Sequence, residues 1–283
     1  MTDESPAVFD AAWDRFTSWL AVHSPIDHAA LRPPATAEGI AVLETRLGFP
    51  LHPQLRALLQ QHDGVVEHPE PDNFHAGAFL PLGHRLSTTD RIAREHEWLV
   101  HEREIIAVGR EEDDLYGHAH QWVPFAHSND GGIAFVDHRP GPTYGHVHEM
   151  GIGSGADATT WASCPADLFG RLAASLETGG PFQSSWPMPH GLPSGQFCLV
   201  WSTCPRTESG GIRDWPPPRR PASPLRPASP TRRGLGRKIA TLVPSPAPQA
   251  PCTTVVDVIA PVGPFHTSGV VVNGSGDSAD AHR

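Results

Sequence analysis

Cysteine is scarce in this chain of 283 residues, and what there is falls in the wrong places for structural chemistry. Cys164, Cys198, Cys204 and Cys252 lie late and irregularly, with no Cys-x-x-Cys pair. Such spacing builds neither a disulfide framework nor a zinc finger. Long apolar runs are absent too, so no stretch reaches the length of a membrane span. The N-terminus, MTDESPAVFDAAW, is acidic and lacks the apolar core of a secretory signal. Lysine occurs once against twenty arginines, a bias that accompanies GC-rich genomes and carries no mechanism. These absences together predict a soluble cytoplasmic protein with free thiols and no membrane partner.

What is present is punctuation. Within residues 31–64, Thr36 is placed to cap a helix, and Ile40, Leu43 and Leu47 follow at helical spacing. Glu38, Glu44 and Arg46 occupy its other face. Gly48 supplies a left-handed end and Pro50 prevents continuation. Pro53 then opens a second helix with a stripe of Leu55, Leu58 and Leu59, ended by Gly64. So short a connection predicts two helices lying against each other and sharing one face of a core.

The proline pair of Leu31-Arg-Pro-Pro34, Leu43-Glu44, Leu47-Gly48, Leu51 and Asp63-Gly64 together resemble the SUKH superfamily, whose name-giving members are yeast Smi/Knr cell-wall regulators. A second tract is similar to the later half of that domain. It reads Trp122-x-Pro-Phe-Ala, a paired glycine, Asp137 before Arg139-Pro-Gly-Pro, and Gly145-x-Val147. The resemblance runs from about Phe9 to Trp201. It implies an α+β fold with an antiparallel central sheet flanked by helices. It also implies a non-enzymatic binding module, because many bacterial SUKH proteins resemble immunity proteins that block toxins, often nucleases. A regulatory scaffold like the yeast members is the alternative.

Composition divides the chain. Residues 1–190 hold 11 basic and 26 acidic residues, a formal charge of −15, whereas residues 191–283 hold 10 and 5, or +5. Fifteen of the 31 prolines fall in that last third. Runs such as Trp215-Pro-Pro-Pro-Arg-Arg-Pro bury too little apolar surface to offset ordering entropy. The expected domains are therefore residues 1–204, SUKH-like, and a mostly disordered Pro/Arg-rich tail over 205–283. Three readings of the tail stay open: a solvated extension, a segment docking on anionic surfaces or aromatic grooves, and translation beyond the natural gene end.

Periodicity supplies the coarse map. Pro6 opens a helix with Phe9, Ala12, Trp13, Phe16 and Leu20 on one face. Residues 78–82 suggest a strand, and 87–104 a helix with Ile92 and Leu99 inward and Trp98 open to either side. Residues 121–127 and 133–138 read as strands around Asn129-Asp-Gly-Gly, a strong hairpin signal. A third strand follows at 146–150. Ser163 is placed to cap a last helix with stripe Leu168, Phe169, Leu172 and Leu176, and residues 195–201 suggest a closing strand. Helices around hairpin-linked strands give α+β.

No residue pattern calls for catalysis, a metal or another cofactor. Histidine is the one excess, 18 in all, and His118/His120 and His146/His148 form His-x-His pairs. Zinc needs three or four ligands, and no His-Glu-x-x-His accompanies them; dispersed surface histidine is the expectation. Asp137 reads as a turn residue accepting backbone amides. Ser154 lies among glycines without the strand and helix of a nucleophile elbow. Trp13 and Trp122 are expected in the core, Trp19 and Trp98 exposed. The acidic clusters Glu102-Arg-Glu104 and Glu111, Glu112, Asp113, Asp114 are the candidate contact surface for a protein partner, such as a basic toxin domain. Direct nucleic-acid binding is not expected of so acidic a domain.

Overall fold

A proline at the start of a helix costs nothing, because its missing N–H has no partner there in any case. Four helices among the described residues use this: α1 (Pro6–His23), α2 (Pro25–Ala30), α4 (Pro53–Gln61) and α6 (Pro165–Thr178). The computed structural model describes residues 5–67, 74–106, 115–151 and 158–203, the side chains of 103–106 excepted. These fall within Met1–Leu225, one of two units into which the chain divides; Arg226–Arg283 and the expected tail at 205–283 lie outside the described residues.

The capped helix α3 (Ala37–Leu47) forms as its sequence predicts. Thr36 Oγ1 accepts from the Gly39 amide at 3.0 Å, and Gly48 closes the helix with φ 82°. α4 opens at Pro53 as expected and departs from expectation at its far end. His52 caps it, its Nδ1 accepting from the Gln54 amide at 3.3 Å, and the helix stops at Gln61, short of Gly64. Gly64 serves a different purpose. With φ 71° it passes so close to the start of the next helix, α5 (Thr89–Ile106), that a Cβ there would lie 2.7 Å from the Ser87 carbonyl carbon and Thr88 nitrogen. The two helices share one core, but they do not pair as the short connection suggested. α3 packs mainly on α5, and α4 mainly on α1.

Five antiparallel strands make a meander in chain order: β1 (Arg85–Leu86), β2 (Trp122–His127), β3 (Gly132–Asp137), β4 (Val147–Gly151) and β5 (Thr159–Ala162). A separate hairpin pairs β6 (Trp186–Gly191) with β7 (Phe197–Ser202). The architecture is α+β, as expected. The closing strand joins this hairpin and not the central sheet. Residues 78–82 are not a strand. Pro81 starts a 3-10 turn at Pro81–Gly83, in which Leu82 takes φ 56°. The cap of α6 is Cys164, not Ser163; the Ser163 amide and hydroxyl instead donate back to Asp167 Oδ2 at 3.1 and 3.3 Å.

Every residue of β2 and β3 is buried, so strict alternation of apolar and polar residues never appears there. One face, with Val123, Phe125, Ala134, Val136 and Val147, joins the large core under the helices. Trp13 sits at its centre, edge-on to Phe169 at 4.7 Å and next to Phe9 and Phe16. The other face, with Trp122, Ile133, Phe135 and Met150, is covered by Leu99 of α5 and by Tyr116 and Ala119 of a 3-10 segment, Leu115–Gln121. There Trp122 stacks on Phe135 at 4.2 Å. Helix α5 spans both layers, with Ile92 and Ala93 in the first and Leu99 in the second. Trp19, expected exposed, is 7% exposed and stacks on His23 at 4.5 Å.

Candidate protein-binding surface

An unpaired strand edge invites another strand, so the edges decide one possible mode of partner binding. They are occupied. On β5 the Thr160 and Trp161 carbonyls accept from Gln183 Nε2 at 2.9 Å and Arg171 Nη1 at 2.6 Å. Leu86 of β1 accepts from the Val65 amide at 3.3 Å. On β7 the Leu199 amide donates to Asp27 Oδ2 at 2.6 Å, and Ser24 Oγ donates to the Phe197 carbonyl at 3.2 Å. β6 carries Pro187 and Pro189, which offer no N–H to a newcomer. What remains for recognition is helix surface and groove.

A groove of about 390 Å³ runs between α5 and the β2–β3 hairpin. Trp98, 40% exposed, stands at its lip, with Leu99 and Ile133 beneath. Arg91 Nε donates to Glu95 Oε1 at 2.7 Å and its Nη1 to Glu67 Oε1 at 3.2 Å; Arg94 Nη1 donates to Asp90 Oδ2 at 2.5 Å. Glu95 Oε2 is buried without a hydrogen-bond partner among the described residues, and burial raises the pKa of that carboxyl above the usual range. The hairpin turn is held by Ser128, whose Oγ donates to Asp130 and accepts from the Gly132 amide at 2.8 Å. A Cβ on Gly132 would sit 2.7 Å from Ser128 Oγ and 3.2 Å from His84 Nε2, so Ser128 would have to turn out of its place in the hairpin turn.

Of the acidic candidates, Glu102 lies on α5 with a side chain 27% exposed, 3.8 Å from His101 Nε2. Glu104 lies on the same helix, its side chain outside the described part. Glu111, Glu112, Asp113 and Asp114 lie outside the described residues, as does Ser154. The structure thus puts Glu102 and Glu104 on the helix that forms one wall of the groove. The groove itself was missed by sequence reasoning; the one signal for it was Trp98, off the best apolar stripe and expected exposed.

Histidine is where expectation and structure part most clearly. His52, His84, His96, His127, His138 and His148 are buried rather than dispersed over the surface. His138 shows why burial holds them neutral. Its Nε2 accepts from the His52 amide at 2.9 Å, so Nδ1 carries the proton and donates to the Val136 carbonyl at 3.0 Å. A second proton would break the first of these bonds. Burial pushes His52, His84, His138 and His148 down to about 4, and His127 to about 3. His146 and His148 rings lie 6.1 Å apart, but His148 Nδ1 meets Thr160 Oγ1 at 3.2 Å. No three His, Cys, Asp or Glu side chains among the described residues are grouped to hold a metal ion.

Asp137 is fully buried and bound to its own turn. Oδ1 accepts from the Arg139 amide at 2.9 Å, and both oxygens meet the Arg139 guanidinium. Cys164 and Cys198 are free and buried, and burial pushes the Cys198 thiol up to about 12, far from a reactive thiolate. No helix among the described residues is long and apolar enough to cross a membrane.

These elements make an α+β domain whose strand edges meet side chains and main chain from other elements, with a groove open beside α5. Residues 34–168 match the SMI1 / KNR4 family (SUKH-1), which supports a SUKH-superfamily domain over that stretch. The match covers α3 to the start of α6, so α1, α2 and the β6–β7 hairpin lie outside it. Among curated proteins, none matches the chain.

Proposed function

We propose that this chain is a non-enzymatic protein-binding module of the immunity type, which neutralises a cognate bacterial toxin by covering a basic surface. The observation that carries this is the formal charge of −15 over residues 1–190. Such a field speeds encounter with a cationic partner and opposes nucleic acid, which would be repelled. The SUKH-1 match supports it, since that family includes proteins of this kind. The module performs no catalysis: Asp137 is committed to Arg139, and the Cys198 thiol is held protonated. It works in the cytoplasm, where reducing conditions suit its buried free cysteines.

Glu102 and Glu104, with Glu111, Glu112, Asp113 and Asp114 beyond them, form the acidic part of the contact surface. Affinity capture with the full chain, followed by association kinetics at several salt concentrations, tests this. A basic toxin domain is expected among the captured proteins. Reversing the charges at 111–114 should slow association and flatten its salt dependence; an unchanged on-rate would remove these residues from the surface. The Pro- and Arg-rich composition from residue 205 onward favours a second reading, a regulatory scaffold of the cell-wall or signalling type. Capture of signalling or cell-wall enzymes in place of a toxin would select it.

A further inference from the structure

A protein that pairs with its own copy about a two-fold axis needs one patch carrying both a feature and its complement. The outward stripe of α5 is such a patch. Arg91, Arg94, Trp98 and Glu102 follow at helical spacing and share one side of the helix. Trp98 stands exposed in the middle, with Arg94 four residues before it and Glu102 four residues after. Beside Trp98 runs the groove of about 390 Å³, floored by Leu99 and Ile133. Its hairpin wall includes Gly131 and Gly132, which bring no side chains to fill it. The charged groups lining it are two arginines, Arg91 and Arg94, and one glutamate, Glu95, already held by Arg91. On a domain of formal charge −15 this groove is locally cationic, and it suits an aromatic ring and a carboxylate rather than another cation.

We propose that this face of α5 is an interface between two copies of the chain, packed antiparallel about a two-fold axis at Trp98. In an antiparallel pair, residues equidistant from the axis come opposite each other. Arg94 of each copy therefore meets Glu102 of the other, and the contact is made twice. The indole of each copy enters the groove of the other, above Leu99 and Ile133 and against the Arg91 and Arg94 guanidiniums. In exchange Arg94 gives up its pair with Asp90, in which both side chains are well exposed and little stability resides. The general repulsion between two acidic domains acts at longer range and is screened beyond about 8 Å at physiological salt. Glu102 also belongs to the proposed toxin-contact surface, so a basic partner and a second copy compete for it; the interface itself needs no toxin.

Sedimentation velocity of the full chain over a concentration series tests the interface. A monomer–dimer equilibrium is expected, with no larger species, because a two-fold pair uses up the patch on both copies. Trp98→Ala should weaken dimerisation about thirtyfold, the effect of losing a central aromatic anchor. Arg94→Glu and Glu102→Arg should each weaken it at least about tenfold, since each sets like charges opposite one another at both contacts. Mixed in equal amounts, these two variants should pair within about threefold of the parent, because both contacts of the mixed dimer again join opposite charges. Recovery in the mixture also shows that both variants are folded. A chain that stays monomeric throughout, a dimer indifferent to Trp98→Ala, or a mixture that associates no better than either variant alone would overturn the interface. Association through the Pro- and Arg-rich residues from 205 onward would be indifferent to all three substitutions, and so would count against it.

Discussion

The two faces of the central sheet are covered very differently. One lies beneath α1, α3, α4 and α6 and belongs to a core built around Trp13, Phe16 and Phe169. The other is covered by the second half of α5 and a 3-10 segment, a much smaller group of side chains around the Trp122–Phe135 stack. The thick face has redundancy; the thin one depends on Leu99 and Tyr116. The thin cover also leaves space, and the groove with Trp98 at its lip opens beside it. The domain thus keeps its larger core on one side of the sheet and an open groove on the other.

Acid should break both faces together, the largest effect expected. His52, His84, His138 and His148 fall to about 4 and His127 to about 3, below the 6.5 of the unfolded chain. The unfolded state therefore binds protons first. The stability these groups contribute is full above about pH 6.5 and is lost as pH falls toward 4. Asp27, pushed up to about 6 by burial, acts in the opposite sense between pH 3.8 and 6, as do the raised carboxyls of Glu95 and Glu149, while the lowered His75 and His96 add to the five. Urea midpoints at pH 7.5, 6 and 5 should fall steeply; a flat profile would contradict the buried, neutral histidines.

Single substitutions separate the faces. Trp13→Ala on the thick face should cost about 3–5 kcal/mol, read from chemical denaturation. On the thin face Leu99→Ala should cost about 2–3 kcal/mol, at the lower end for a buried leucine because the few groups around it can relax. Gly64→Ala tests the close approach to α5 that both faces rely on. It should cost about 1–3 kcal/mol through a backbone clash and a left-handed φ, with no cavity formed. Trp98→Ala, next in sequence to Leu99, should change stability by less than about 0.5 kcal/mol. If it costs as much as Leu99→Ala, Trp98 belongs to the core and not to the groove.

Some of this was legible in advance and some was not. Thr36 and Gly48 bound their helix by a local hydrogen bond and a left-handed residue, so they read correctly from sequence. The hairpin at Asn129 to Gly132 read correctly for the same reason. The partner of each helix did not, because α3 reaches α5 and α4 reaches α1 across long separations that no periodicity records. Gly64 reads as a helix end, but its constraint comes from residues 87 and 88, brought near only by the fold. Trp19 looked off-stripe yet is covered by His23. The groove depends on Glu95, Trp98 and the hairpin turn, which converge only once α5 lies on β2.

By itself the sequence determined where helices start and stop, the α+β class, the SUKH resemblance and the acidity of the domain, because caps, turns and charge act through neighbours in the chain. Tertiary structure alone decided that the histidines are buried and neutral and that the strand edges are closed. Among the described residues, it left Glu95 Oε2 buried without a donor on the helix that carries the exposed Trp98. Burial, edge pairing and desolvation arise from distant segments, and no local pattern encodes which of them will meet.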